Sequence, residues 1–499
     1  MGISSIDINR RLYPASIVRE LDRIAIEEHK IPGIDLMHRA GQVTWDILLN
    51  EWPDAKHILV ICGGGNNAGD GYVIAKLALE AKLDVTVIAI SPVEKLKGDA
   101  LIAANEYLSL HQVPLDSLDE IEFANIDVIV DAILGTGTDR VVTGQYLKAI
   151  NYINESSIPV VSVDVPSGLD ANTGKVQGAA VKSDCTVTFI GQKQGMHTGE
   201  AADYCKKIIF NKLDVPPVIY QSVTQTAELV DISIFEYLFS PRSRTNHKGH
   251  NGHVLIIGGD YGYAGAVIMS GEAAARTGAG LVSIATRPEH AYTLQNSCPE
   301  LMAAGISSPS DIRSLLSRAT VIAIGPGLGT TSWSVGLLME ILDTKYPLVI
   351  DADALNLLAV DPIKRNNWVL TPHPGEAARL LNISVYEVQS DRITVAKALQ
   401  QKFGGVIVLK GSGTIIASST CLRICKDGNP GMATGGMGDV LTGIIAGLIA
   451  QGIDMELAAS SAVCLHARAG DLSAAQDGER GMMATDLFPY IRKLVNIDK

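Results

Sequence analysis

The chain has 499 residues, enough for two or three domains. Hydrophobic residues make up 47% and charged residues 19%, a balance typical of globular chains, and with only 5% aromatics the core must be built from Ala, Val, Ile and Leu. A formal net charge of -13 argues against nonspecific binding to nucleic acid or an anionic membrane, but it leaves small anionic substrates open, because backbone N–H groups at a helix start hold phosphate even in an acidic protein.

No stretch reaches the roughly 18 uninterrupted apolar residues of a membrane helix. The run Val440 to Ala450 is interrupted by Thr442, Gly443 and Gly447. The seven cysteines form no CxxC pair, and their odd number argues against a disulfide framework. Charged residues near the start leave no apolar signal core. A cytoplasmic protein is expected, one that self-associates as a homo-oligomer and whose other partners are small molecules.

In chain order, the first element expected is a helix from about Ala15 to His29. Apolar runs ending in Gly-rich loops follow: His57 to Cys62, Val85 to Ile90, Asp127 to Val130 and Val160 to Val163. Thr186 to Ile190 and Lys207 to Phe210 are further strand candidates, and helical patterns lie between several of these runs. Short apolar strands alternating with helices give a mostly parallel sheet covered on both faces. The pattern weakens from Lys212 to Ser243, where Pro216, Pro217 and Pro241 punctuate it, so the domains are expected to span 1–222 and 223–499. A second α/β pattern then brings strands at Val254 to Ile257, Val321 to Ile324, Leu348 to Ile350, Trp368 to Leu370 and Val406 to Leu409. His247, His250 and His253 repeat at a metal-like spacing, but they straddle Gly249 and Gly252, which fits an entry loop better than a ligand set.

The loop from Gly63 to Gly71 follows a strand and opens a helix. Glycines there let backbone N–H groups approach a ligand. Gly63, Gly65 and Ala68 fit a GxGxxA dinucleotide pattern, but the next strand ends in Ile90-Ser91 with no acidic residue for a ribose. Two later strand ends carry Asp131 to Gly137 and Asp164 to Asp170. In an open parallel sheet these ends gather on one edge. Asn67, Asp131 and Ser167 would then offer only oxygens, which suits a hard cation rather than zinc. Each acid could equally cap the following helix.

These three segments, with Leu36 to Gly41, resemble the NAD(P)H-hydrate epimerase family. The resemblance implies a Rossmann-like three-layer sandwich and K+ held by Asn67, Asp131 and Ser167. It implies substrate contacts at Asn66, Asn67, Ala68, Gly69 and Asp70. Further contacts are implied at Gly135, Thr136, Gly137, Thr138, Asp139, Arg140 and Val141, and at Asp164, which is also a candidate for proton transfer. Lys193 matches a family lysine and is either a phosphate contact or a solvated surface residue. Ala68 stands where the family usually has Gly, and His38 where it usually has Glu.

In the second half, Asn429 to Asp439 is Gly-rich and precedes the apolar helical run Val440 to Ala450. Such a loop makes an anion hole from backbone N–H groups. Asp439 at that helix start can take a proton from a substrate hydroxyl, or it can simply cap the helix. Four other strand-end segments agree with a phosphate-handling site: Gly325 to Gly329, Asp351 to Leu355, Thr371 to Glu376 and Lys410 to Thr414. No GxxxxGK[ST] occurs, so this is not a P-loop enzyme.

Together with Asn246 to Gly249 and Ala264 to Ala266, these segments resemble the ADP- or ATP-dependent NAD(P)H-hydrate dehydratase family, whose fold is a ribokinase-like α/β domain. The resemblance implies a nucleotide at Lys410, Gly411, Ser412, Gly413, Thr414 and Gly438, and the hydrate at Gly327, His373 and Asp439. The two halves together resemble the fused bifunctional NAD(P)H-hydrate repair family. Its activity would be epimerisation of the R and S hydrates of NADH and NADPH, then dehydration of the S-hydrate with ADP and Mg2+, giving AMP and phosphate. Two other readings are a small-alcohol kinase of the ribokinase-like class, which would keep its phosphoester, and a cofactor sensor with an inactive N-terminal domain.

Overall fold

The computed structural model describes residues 7–118, 121, 125–138 and 140–496. The chain divides into two compact units between Glu228 and Leu229. The division falls beyond residue 222 because the chain returns to the first unit there: Ala227 and Glu228 pair antiparallel with Leu12 and Arg11.

In the N-terminal unit six strands form one parallel sheet. In spatial order they are Asp84–Ala89, His57–Cys62, Val128–Ala132, Val160–Val163, Ser183–Phe189 and Cys205–Asn211. Numbered within the sheet, the order is 2-1-3-4-5-6, so the direction of winding reverses between His57–Cys62 and Val128–Ala132. That switch point opens a crevice at the carboxyl ends of the strands. Alternation along each strand feeds two cores, since successive side chains point to opposite faces. Ile58, Val60 and Cys62 pack with the helices Gly33–Glu51, Asn66–Glu80 and Gly98–Leu108 on one face. Leu59 and Ile61 pack with the helix Gly144–Glu155 on the other. The unit is therefore a Rossmann-like three-layer sandwich. The first helix runs as an α-helix over Ala15–Arg23 and continues as a π-turn over Ile24–Glu28.

The C-terminal unit places Met302–Gly305, Leu281–Thr286, His253–Ile257, Val321–Ile324, Leu348–Ile350, Trp368–Leu370 and Val406–Leu409 side by side, all parallel. The antiparallel strands Thr414–Ala417 and Leu422–Cys425 extend this edge. Leu281–Thr286, Met302–Gly305 and the last two strands were not anticipated from sequence. Behind the sheet, the helix Met437–Ala450 crosses Ala264–Thr277 at close range: a Cβ on Gly443 would lie 2.1 Å from the carbonyl oxygen of Ser270. His253 lies buried in its strand with Nε2 2.8 Å from Ser283 Oγ, and the rings of His247 and His250 stack at 3.6 Å, so the three histidines do not converge.

No helix among the described residues is long and apolar enough to cross a membrane. All seven cysteines are free thiols.

Candidate active sites

The switch point of the N-terminal sheet opens into a cavity of about 670 Å³. Asn66, Asn67, Asp70, Gly135, Thr136, Gly137, Thr138 and Asp164 line it, as does Lys193. Ala68 and Gly69 are buried in the helix Asn66–Glu80 and do not line the cavity. Arg140 and Val141 are exposed and also lie outside the lining. Asp139 lies outside the described residues.

Asp131 ends the strand Val128–Ala132 and is fully buried. Its carboxylate accepts from Ser162 Oγ at 2.8 Å, from Ser167 N at 2.9 Å and from Ser167 Oγ. Ser167 Oγ also lies 2.7 Å from the amide of Leu134, and Asn67 Nδ2 donates to the Leu134 carbonyl at 3.1 Å. Asn67, Asp131 and Ser167 therefore do meet, around the backbone of Leu134. Burial pushes the Asp131 carboxyl up, against the hydrogen bonds from Ser167, Ser162 and Ile133. No cationic side chain among the described residues pairs with it, so a bound monovalent cation fits this oxygen-rich shell as the missing counter-charge.

Asp164 has φ +68, a left-handed conformation that is strained for a residue with a Cβ. Its amide is anchored to Val187 O at 2.7 Å. Backbone strain of this kind is concentrated at functional sites. Its carboxylate forms an ion pair with Lys193, whose ammonium also donates to Thr188 Oγ1 at 2.9 Å and Phe189 O at 3.1 Å. Lys193 has 1% of its side chain exposed, which rules out the solvated surface role. Two carboxylates that sequence reasoning missed or left without a proton role share the cavity. Asp22 projects from the first helix, and burial pushes it up to about 6. Asp70 is pushed well above the carboxylate range by burial and by the charges of Asp164 and Asp22.

In the C-terminal unit, the helix Met437–Ala450 begins after Gly436, which has φ +92. Asp439 is its third residue and not its cap, and its carboxylate has no hydrogen-bond partner among the described residues. Burial, followed by the charge of Asp351, pushes it up to about 7. Beside it lies a buried cluster. Lys410 Nζ sits 2.8 Å from Asp351 Oδ1 and 3.9 Å from Glu376 Oε2. Asp351 also accepts from Thr371 Oγ1 and Thr442 Oγ1, each at 2.8 Å. Burial would raise Asp351, but the charge of Lys410 and these hydrogen bonds hold it below the usual carboxylate range. Burial pushes Glu376 up to about 7. A Cβ on Gly438 would stand 3.2 Å from Lys410 Nζ, so Gly438, Asp439, Lys410 and Asp351 converge.

His373 caps the helix Pro374–Leu381, its Nδ1 accepting from Gly375 N at 2.9 Å. Its backbone N–H donates to Glu376 Oε2 at 2.7 Å. Burial and the charge of Lys410 lower the imidazole's pKa. Gly411, Ser412 and Gly413 form the turn of a hairpin, and Thr414 Oγ1 closes it by donating to Gly411 O at 2.9 Å. The fully buried Arg392 fastens this turn by donating to the carbonyls of Leu409 and Lys410, each at 3.2 Å. Gly327 has φ +56, and a Cβ there would lie 2.7 Å from that of Tyr263. Asp351, Glu376 and Arg392 were not assigned site roles from sequence, although the Asp351 and Glu376 segments both stood out as strand ends.

A family model described as NAD(P)H-hydrate dehydratase matches residues 254–493, and one described as YjeF-related protein N-terminus matches residues 33–195. A bifunctional NAD(P)H-hydrate repair enzyme of Coxiella burnetii is 48% identical over 97% of this chain and 99% of its own. That of Escherichia coli is 42% identical over 99% of this chain and 96% of its own. This chain belongs to the bifunctional NAD(P)H-hydrate repair enzymes. A ribokinase-like superfamily protein of Enterococcus faecalis is 32% identical, covers 54% of this chain and 96% of its own, and superposes with a TM-score of 0.50. The C-terminal half of this repair enzyme is accordingly ribokinase-like.

The two departures from the repair family's pattern are both accommodated. Ala68 sits inside a helix and does not need positive φ, so its methyl adds no strain. His38 faces away from the cavity lining and meets Glu106, its Nε2 3.1 Å from Oε2, with Lys76 3.0 Å from the same oxygen.

Proposed function

We propose that the N-terminal unit interconverts the R and S hydrates of NADH and NADPH and that the C-terminal unit dehydrates the S-hydrate, consuming ADP and giving AMP and phosphate. Reduced nicotinamides add water across a ring double bond, and the product cannot donate hydride. The observation that carries the reading is Asp439. It is an unbonded carboxylate in the first turn of a glycine-led helix, raised towards neutrality, beside Lys410 and Gly438. Such a group accepts a hydroxyl proton while backbone donors and Lys410 hold the transferring phosphoryl group. Loss of that phosphate from the ring carbon restores the dihydropyridine. Magnesium bound with the nucleotide neutralises phosphate charge.

In the N-terminal unit we assign K+ to Asn67, Asp131 and Ser167, on the strength of the uncompensated buried carboxylate of Asp131. ADP is assigned as the phosphoryl donor on the resemblance to the repair family. The experiment is to incubate the protein with mixed hydrate epimers, with and without ADP, following NADH absorbance and epimer ratio. A stable phosphoester would mean a kinase, and no turnover would mean a sensor.

A further inference from the structure

Epimerisation needs a proton donor and a proton acceptor at one carbon, and the cavity supplies more acids than the family resemblance named. Water adds to an enamine with its proton on the β-carbon, so the hydroxyl of the hydrate sits on the carbon next to the ring nitrogen. Inverting that centre means breaking and remaking its C–O bond.

Resting on the epimerase reading of this unit, we propose that Asp22 is the catalytic acid that protonates the departing hydroxyl, with Asp164, paired to Lys193, as the proton acceptor. Both side chains line the same cavity, with Lys193 on its wall. They differ in environment. Lys193 makes its ion pair with Asp164, not with Asp22. Asp22 has no ion pair among the described residues, and it faces Asp164 and Lys193 across the cavity, Arg19 on its own helix, Asp70 on the helix Asn66–Glu80, and Tyr220. Burial outweighs the attraction of Lys193 and pushes Asp22 up to about 6. A buried carboxyl with no ion pair among the described residues, beside one paired to a lysine, suits a division of the acid and base roles between them. The π-turn Ile24–Glu28 begins two residues later, a distortion frequent at functional sites.

The chemistry balances without any co-reactant. The Asp22 proton passes to the hydroxyl, the C–O bond breaks and water leaves, while the ring-nitrogen lone pair forms a planar C=N+. Water then adds to either face of that carbon, and Asp164 takes the released proton. Exchange with cavity water returns the proton to Asp22.

The test uses the full-length chain and pure R-hydrate without ADP, following the R/S ratio from pH 5 to 9. The wild type should give a bell-shaped profile, its rate falling on the alkaline side as Asp22 loses its proton. Asp22→Asn should lower kcat by about 100-fold or more, leave KM within about threefold, abolish the alkaline limb and spare dehydration of S-hydrate. Asp22→Glu should restore part of the rate and the limb. Asp22→Asn turning over within about threefold of wild type overturns the proposal, as does an alkaline limb that survives the substitution. Should Asp22→Asn fail to fold, Asp22→Glu decides alone: an unchanged melting temperature with no epimerisation at any pH overturns it. A wild type that never epimerises sinks the epimerase reading itself, and this assignment with it.

Discussion

The ammonium of Lys410 lies 2.8 Å from Oδ1 of Asp351, a carboxylate with 2% of its side chain exposed. The pair joins the end of the strand Leu348–Ile350 to the hairpin that begins after Leu409, and it sits under the backbone of Gly438. Burial alone would pull Lys410 down, yet the charges of Asp351 and Glu376 hold its pKa above the ordinary lysine value. The lysine therefore stays cationic beside the site where phosphate is expected.

Removing one member of that pair should cost more than removing both. Lys410→Met leaves a buried carboxylate unpaired and should destabilise the C-terminal unit by about 3–5 kcal/mol. Lys410→Met combined with Asp351→Asn should recover most of that loss without recovering dehydratase activity. Urea unfolding of the single and double variants checks this, and equal stabilities for the two would show that the pair carries no such coupling.

Asp439→Asn should lower ADP-dependent NADH recovery by about 100- to 10,000-fold, because Asn keeps the shape but cannot accept a proton. Epimerisation should continue. With Asp439 as the proposed base and raised to about 7, kcat/KM for dehydration should climb with pH through that region. A variant within threefold of the wild type, a difference of about 0.65 kcal/mol, would reduce Asp439 to a structural residue.

Potassium should support epimerisation through Asn67, Asp131 and Ser167. Asp131→Ala should weaken hydrate binding and remove potassium dependence while dehydration of pure S-hydrate persists. Equal epimerisation rates in potassium and in a bulky organic cation would contradict the assignment.

Gly443→Ala places a methyl 2.1 Å from the Ser270 carbonyl, forcing two packed helices apart. Overpacking of this kind costs about 1–3 kcal/mol. Differential scanning calorimetry should show a lower melting temperature for the C-terminal unit and no change in the other.

Each unit should act by itself, provided the cut respects the returning strand. A fragment of residues 1–228 should epimerise and one of residues 229–499 should dehydrate S-hydrate. A fragment stopped at Tyr220 loses the pairing of Ala227 with Leu12 and should be measurably less stable. If both longer fragments fold and neither turns over, the units need each other for catalysis.

Sequence alone determined the two α/β patterns and the loops that carry the sites. Strands such as His57–Cys62 and Val321–Ile324 are apolar on both faces, and the glycines that follow them mark where a chain must turn under a helix. That pattern is local, so it survives being read one segment at a time. Spatial order is not local. Nothing in the string states that His57–Cys62 lies between Asp84–Ala89 and Val128–Ala132, which is what creates the cavity. Asp22 therefore reads as one charge on an amphipathic helix, and Lys193 as either a contact or a surface residue, until the tertiary structure brings both to one cavity. Asp351 likewise needs Thr371, Lys410 and Thr442 from three distant segments to hold its charge. Proton affinities at both sites are set by burial and by neighbours remote in sequence, and only the folded chain fixes those.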